Sequence, residues 1–146
     1  MIFKLFIDKN CQEEVIANVH ERTPLVEEIE RLVIQDSISD QLPGYMDDEI
    51  RMLEIRQIEC FIVENEKTYA VYSDNKRYVI RKRLCELEKI LPGNFEKINK
   101  SSIANWKAIV KFRVQLSGAV DAVFKSGYIE CISRRCFVEL KRRYGL

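Results

Sequence analysis

From residue 50 to residue 132 apolar side chains return mostly at every second position, in short runs divided by turn-forming residues. A run written this way turns one face inward and the other outward, so it suits a half-buried strand. Runs that follow one another at turn-length spacing pair as antiparallel neighbours. Residues 50–54 (IRMLE) and 57–64 (QIECFIVE) are two such runs. TYAVYSDNKRYVI reads as a hairpin around Ser73-Asp74-Asn75-Lys76, and KFRVQLSG, AVDAVFKSG and YIECIS follow, with turns at Gly118 and Gly127.

Three stretches have helical spacing instead. Thr23-Pro24 supplies a hydroxyl N-cap and a proline at the first helical position. Beyond it Leu25, Ile29, Leu32 and Val33 share one face, opposite Glu27, Glu28, Glu30 and Arg31; this helix fades near SISD, 37–40. RKRLCELEKIL aligns Leu84, Leu87 and Leu91 and is stopped by Pro92-Gly93. SRRCFVELKRRYGL reads as a helix capped by Ser133, with Phe137, Leu140 and Tyr144 inward. Residues 2–7 (IFKLFI) and 15–20 read as two further strands. The expected fold is therefore mainly β with short helices, an α+β chain of antiparallel sheets preceded by a small β-β-α region. The polar DQLPGYMDDE, 40–49, with Pro43 beside Gly44, reads as a turn and places a boundary. It divides the chain into an acidic N-terminal region, 1–45, and a main domain, 46–146.

Composition narrows the function. With 146 residues, 47% of them hydrophobic and 32% charged, the chain can bury a core without a metal or disulfide staple. Its five cysteines are odd in number and form no CxxC, which favours buried or idle thiols over a disulfide framework. The single histidine, His20, reads as a strand residue, and zinc or a histidine base for nucleophilic catalysis lacks support. No Gly-rich phosphate loop appears, so the reading is a non-enzyme without a cofactor. No apolar run reaches the roughly 20 residues of a membrane span. MIFKLFID is interrupted by Lys4 and Asp8, unlike a secretion signal, so a cytoplasmic protein is expected.

The net charge of +1 hides an asymmetry. Residues 1–75 hold 7 Lys/Arg against 17 Asp/Glu, and residues 76–146 hold 17 against 6. Such a basic half attracts polyanions, and the acidic half limits where they can sit. One band stands out: NFEKINKSSIANWKAI, 94–109, alternates apolar anchors with Lys97, Asn99, Lys100, Ser101, Ser102 and Asn105, and no acid follows Glu96 until Asp121.

These residues carry a resemblance. From about 50 to 146 the chain resembles a LytTR domain, the DNA-binding module of bacterial response regulators and of stand-alone transcription factors. ECFIVENEKTYAVYSDNKRYVIRKRLCELEKIL is similar to that family's strand, hairpin and leucine-rich helix. NFEKINKSSIANWKAI resembles its F-x-R-I-x-x-S-x-x-V-N signature, and SRRCFVELKRRYGL its terminal V-S-R-R-Y segment; Ala104, Trp106 and Cys136 depart from the pattern. The resemblance implies an elongated set of small antiparallel sheets that reads double-stranded DNA through loops rather than through a recognition helix. The whole chain resembles the stand-alone subgroup, which lacks a phospho-receiver domain, and that likeness suggests a functional link to a small membrane protein.

Carried over by position, three loops meet DNA: Glu66-Lys67-Thr68, Asn99-Lys100-Ser101 and Arg134-Arg135. Lys67, Lys100 and Arg135 lie nearest base edges by this analogy. Physical chemistry agrees, because Arg and Lys suit guanine O6 and N7 while Asn and Ser suit groove edges or phosphates. Ser133-Arg134-Arg135 also opens a helix, where backbone amides attract phosphate. Two cations there oppose the helix dipole, a locally unfavourable choice that points to function. Lys82 and Arg83, beside Arg81, are either phosphate contacts or a solvated helix face. Asn105 is either a buried structural amide or a base contact. The acidic helix either packs on the β domain or pairs with its copy in a homodimer. The expected function is sequence-specific transcriptional regulation; the alternative is a basic RNA- or protein-interaction module with no operator.

Overall fold

The computed structural model of the chain describes residues 1–10, 14–37 and 40–145. Among these the alternation is realised as β1 (Gln41–Met46), β2 (Glu49–Glu54), β3 (Ile58–Glu64), β4 (Lys67–Tyr72), β5 (Arg77–Ile80), β6 (Phe95–Asn99), β7 (Ser102–Asn105), β8 (Ile109–Val114), β9 (Val120–Phe124) and β10 (Ile129–Ile132). The helices are α1 (Pro24–Ser37), α2 (Leu84–Ile90) and α3 (Arg134–Tyr144). Seven strands form one sheet in the order β2-β1-β5-β4-β3-β7-β6, and β10-β9-β8 form a second. Every pairing is antiparallel. The chain is thus mainly β with short helices.

β3 lies near the middle and is buried on both faces. Phe61 belongs to a cluster with Leu53, Ala70, Leu84, Leu87 and Phe95, beneath α2. Cys60 and Ile62 belong to another, with Ile98, Ala104, Phe124, Ile132 and Leu140, beneath the second sheet and α3. A bulge between Ile58 and Cys60 leaves Glu59 buried. Its carboxylate accepts from the Ser126 N–H (3.0 Å) and from the Ser126 hydroxyl, pinning the β9–β10 turn to the central strand.

Four segments differ from the sequence reading. Residues 2–7 and 15–20 belong to no strand. Phe3 and Phe6 are each 86% exposed, and alternation without a ladder partner does not make a strand. Residues 40–49 hold β1 and only a short Asp47-Asp48 turn. Gly44 is there because a Cβ would meet Leu53 Cδ1 at 2.6 Å and Tyr78 Cβ at 2.8 Å, and β1 pairs with β5 only at Tyr45↔Val79, in keeping with a proline that cannot donate to a ladder. Within the band at 94–109, residues 95–105 form a hairpin, β6–β7, that the sequence reading assigned to no strand. Helix α1 forms where expected, Thr23 Oγ1 accepting from the Val26 N–H at 3.4 Å. Its apolar stripe is exposed, Leu25 at 53% and Leu32 at 55%. Cys11, and the middle of the SISD segment at Ile38 and Ser39, lie outside the described residues. His20 is exposed on no strand.

Gly44→Ala tests the close approach in β1. Inserting a methyl group against Leu53 and Tyr78 should cost about 1–3 kcal/mol in urea unfolding. A variant as stable as the parent would show that β1 does not pack against those side chains.

Candidate nucleic-acid interface

The antiparallel ladders bring several strand ends to one side of the large sheet. Glu64 pairs with Lys67, Thr68 with Ile80, Ile62 with Ser102 and Asn99 with Ser102. The turns 65–66 and 100–101, and the segment 81–83 after β5, therefore lie along the same edge. The first turn holds Asn65 (φ 49°) and Glu66 (φ 64°) in left-handed conformation, as a two-residue hairpin turn that follows strand twist requires. Lys67 leaves it exposed, while Thr68 turns inward.

The three loops are joined by backbone bonds. The Val63 N–H donates to Ser101 O (2.9 Å), and the Ser133 N–H donates to Ile98 O (2.8 Å). The second bond seats the start of α3 beside the β6–β7 turn. Ser133 caps α3, its hydroxyl accepting from the Cys136 N–H at 3.3 Å, and Arg134 and Arg135 stand exposed in the first turn. Lys100 and Ser101 are exposed as well. Among the described residues Arg22, Arg31, Arg51, Arg56, Arg77 and Arg143 are tied to carboxylates. Lys67, Lys100, Arg134 and Arg135 enter none of those pairs.

Lys82 and Arg83 are also exposed, next along the edge beyond β4. Arg83 is the N-cap of α2 and makes no capping bond. Arg81 instead lies over the Tyr45 ring, 4.0 Å from its centre, and so covers β1.

Two amides are engaged inside the protein. Asn105 is 1% exposed; its Nδ2 donates to Ile58 O (2.9 Å), and its Oδ1 accepts from Asn94 Nδ2 (2.7 Å) and the Lys107 N–H (3.1 Å). It is a structural amide joining β7 to β3, which decides between its two readings. Asn99 is half-buried and bonded at both ends: Nδ2 donates to Cys131 O (2.7 Å) and Glu130 Oε1 (3.2 Å), and Oδ1 accepts from the Ser101 N–H (2.8 Å). Glu130 and its partner Tyr128 escaped the sequence reading. Their i, i+2 spacing, Tyr128 just before β10 and Glu130 on it, is the only local sign of them.

The remaining chemistry is sparse. Cys60, Cys85, Cys131 and Cys136 are free thiols, and burial pushes the Cys60 thiol well above its ordinary pKa, leaving it protonated. No group of His, Cys, Asp and Glu able to hold a metal occurs among the described residues. Nor is any helix among them long and apolar enough to cross a membrane.

Residues 48–145 match the model of the LytTr DNA-binding domain. The chain belongs to the LytTR family. An uncharacterized HTH-type transcriptional regulator of Staphylococcus aureus (strain NCTC 8325 / PS 47) is 32% identical over 148 residues, covering 100% of this chain and 99% of the relative. Another, from strain MW2, is 33% identical over 108 residues, 74% of this chain and 73% of the relative. The LytTr DNA-binding domain of a Bacillus cereus protein described as a methyl-accepting/DNA response regulator superposes with a TM-score of 0.67 at 16% identity. That alignment covers 74% of this chain and 99% of that one, and it shows the shared fold. Among the described residues the relatives' HTH label has no counterpart. A helix-turn-helix joins two helices by a short turn, whereas strands separate each helix here from the next.

Proposed function

We propose that this LytTR protein is a sequence-specific transcriptional regulator that reads double-stranded DNA through loop residues, in the cytoplasm and without catalysis. The observation that carries the reading is the row of cations that enter no carboxylate pair among the described residues: Lys67, Lys100, Arg134 and Arg135, presented by three hydrogen-bonded loops on one edge. Arg135, Lys100 and Lys67 are the proposed base readers, while Arg134, Ser101, Lys82 and Arg83 anchor phosphates. Division of labour follows the charge: the acidic region 1–45 stays off the DNA although its last strand joins the large sheet. The apolar stripe of α1, with Leu25, Leu32 and Val33 exposed beside half-buried Ile29, pairs with its copy in a homodimer; a monomer in sedimentation at micromolar concentration would contradict that pairing.

Binding to the protein's own upstream DNA, set against a scrambled duplex, tests the reading. Neutralising about five phosphates gives a slope of log affinity against log salt of about −4 to −5. A slope near zero would sink the DNA reading. Equal affinity for both duplexes, or tighter binding to single-stranded RNA, would favour the module without an operator.

A further inference from the structure

The cationic edge contains one feature that phosphate attraction does not explain. Glu130, a half-buried carboxylate, stands between the Lys100 turn and the start of α3, where it repels DNA. Its bonds say why it is there. Oε1 accepts from Asn99 Nδ2 (3.2 Å) and from the Cys131 N–H (3.1 Å), while Oε2 accepts from the Tyr128 hydroxyl at 2.6 Å. Asn99 then grips both loops. Its amide N–H groups reach Glu130 and Cys131 O on the strand leading to Arg134, and its carbonyl oxygen receives the N–H and hydroxyl of Ser101 (2.8 and 3.3 Å). These partners leave one orientation for the amide, since only its NH₂ can donate to a carbonyl and a carboxylate. Arg77 extends the network, pairing with Glu64 at 3.0 Å and lying 5.7 Å from the centre of the Tyr128 ring. Glu64 closes the strand before the Lys67 turn. All three loops thus meet in one chain of polar contacts.

We propose that Asn99 and Glu130 are positioning residues: together they form a clamp that fixes the Lys100 turn relative to Arg134 and Arg135, and so set which DNA sequence the cations can read together. The inference rests on the DNA reading above and adds its specificity device. Asn99 acts through the loops it holds rather than by touching a base. Burial, reinforced by the hydrogen bond to Glu130, raises the Tyr128 phenol far above its ordinary pKa, so it stays a donor to the clamp. Hydrogen bonds to a carboxylate are the strong kind, which suits a joint between two loops.

Glu130→Gln separates this role from simple electrostatics. It removes one negative charge from a DNA-facing edge and one acceptor from the clamp while keeping the side chain's size. The clamp predicts loss of affinity for a duplex recovered by selection from a random pool, about tenfold, as expected for a lost hydrogen bond to a charged group. Affinity for a scrambled duplex should hold or rise. Tyr128→Phe should lower the same ratio less, and Asn99→Ala combined with Glu130→Gln should lose no more than the larger single loss, since both break one joint. Amide exchange at Ser101 should quicken in Glu130→Gln without DNA present. Binding is read well below each variant's melting temperature, so a purely structural role would leave the ratio unchanged.

A parent protein that discriminates, with Glu130→Gln discriminating equally well, would overturn the clamp alone. Additive losses for Asn99→Ala and Glu130→Gln would overturn it too, and would make Asn99 a direct contact. A parent protein that does not discriminate between the duplexes would overturn the DNA reading, and the clamp with it.

Discussion

Asn105→Ala should lower the stability of the chain by about 3 kcal/mol and its melting temperature by about 10 °C, the largest loss expected from any single polar side chain here. The amide answers three backbone and side-chain groups at once: Ile58 O, Asn94 Nδ2 and the Lys107 N–H. Alanine leaves all three without it. Asn94 and Lys107 line a surface cleft and can turn to water. Ile58 is fully buried, so its carbonyl cannot, and an unanswered buried acceptor costs about 1–3 kcal/mol. The void left between β7 and β3 adds to the loss. Thermal and urea unfolding measure it. A melting temperature within about 2 °C of the parent's would mean that the amide does not tie β7 to β3.

Arg135→Ala should cost about 1–3 kcal/mol on the selected duplex and much less on scrambled DNA, with no change in melting temperature. Arg135 is exposed in the first turn of α3 and enters no ion pair among the described residues, so folding does not need its charge. A planar guanidinium there can make two parallel bonds to one guanine, a geometry lysine cannot copy. Lys82→Ala is the matching control: a phosphate contact alone lowers affinity for both duplexes equally and flattens the salt slope by about one. Equal losses for Arg135→Ala on both duplexes would make it an anchor and move the reading to Lys67 or Lys100.

Period-two alternation marked β3 to β5, β9 and β10, which bury residues against partners adjacent in the chain; β2 and β8 carry the same pattern although most of their side chains are exposed or half-buried. The cap of α3 was legible for a similar reason: Ser133 and Cys136 are neighbours in sequence. β1 was not, since Pro43-Gly44 carries the local chemistry of a turn and the demand for glycine comes from Leu53 and Tyr78. The β6–β7 hairpin hid behind a Lys100-Ser101 turn with no glycine in it. Residues 2–7 show the reverse failure, a strand pattern with no ladder partner among the described residues. At the proposed interface the cations could be read from the chain, because charge and exposure are local properties. The bonds that set their spacing could not: Asn99 meets Cys131 across 32 positions, and no short-range pattern announces such a pair. Asn105 sat between two readings for the same reason, since its partner Ile58 is 47 residues away.

Selection of bound duplexes from a random pool tests the central claim most directly, because it asks whether the edge reads sequence at all. Purified full-length chain, carried through repeated rounds at moderate salt, should converge on one pattern. Guanines should recur at fixed positions where Arg135, Lys100 and Lys67 reach base edges, and Arg135→Ala should relax one of them. A pool that stays random after repeated rounds, while still binding in a salt-dependent way, would contradict sequence reading and leave only an electrostatic surface for nucleic acid.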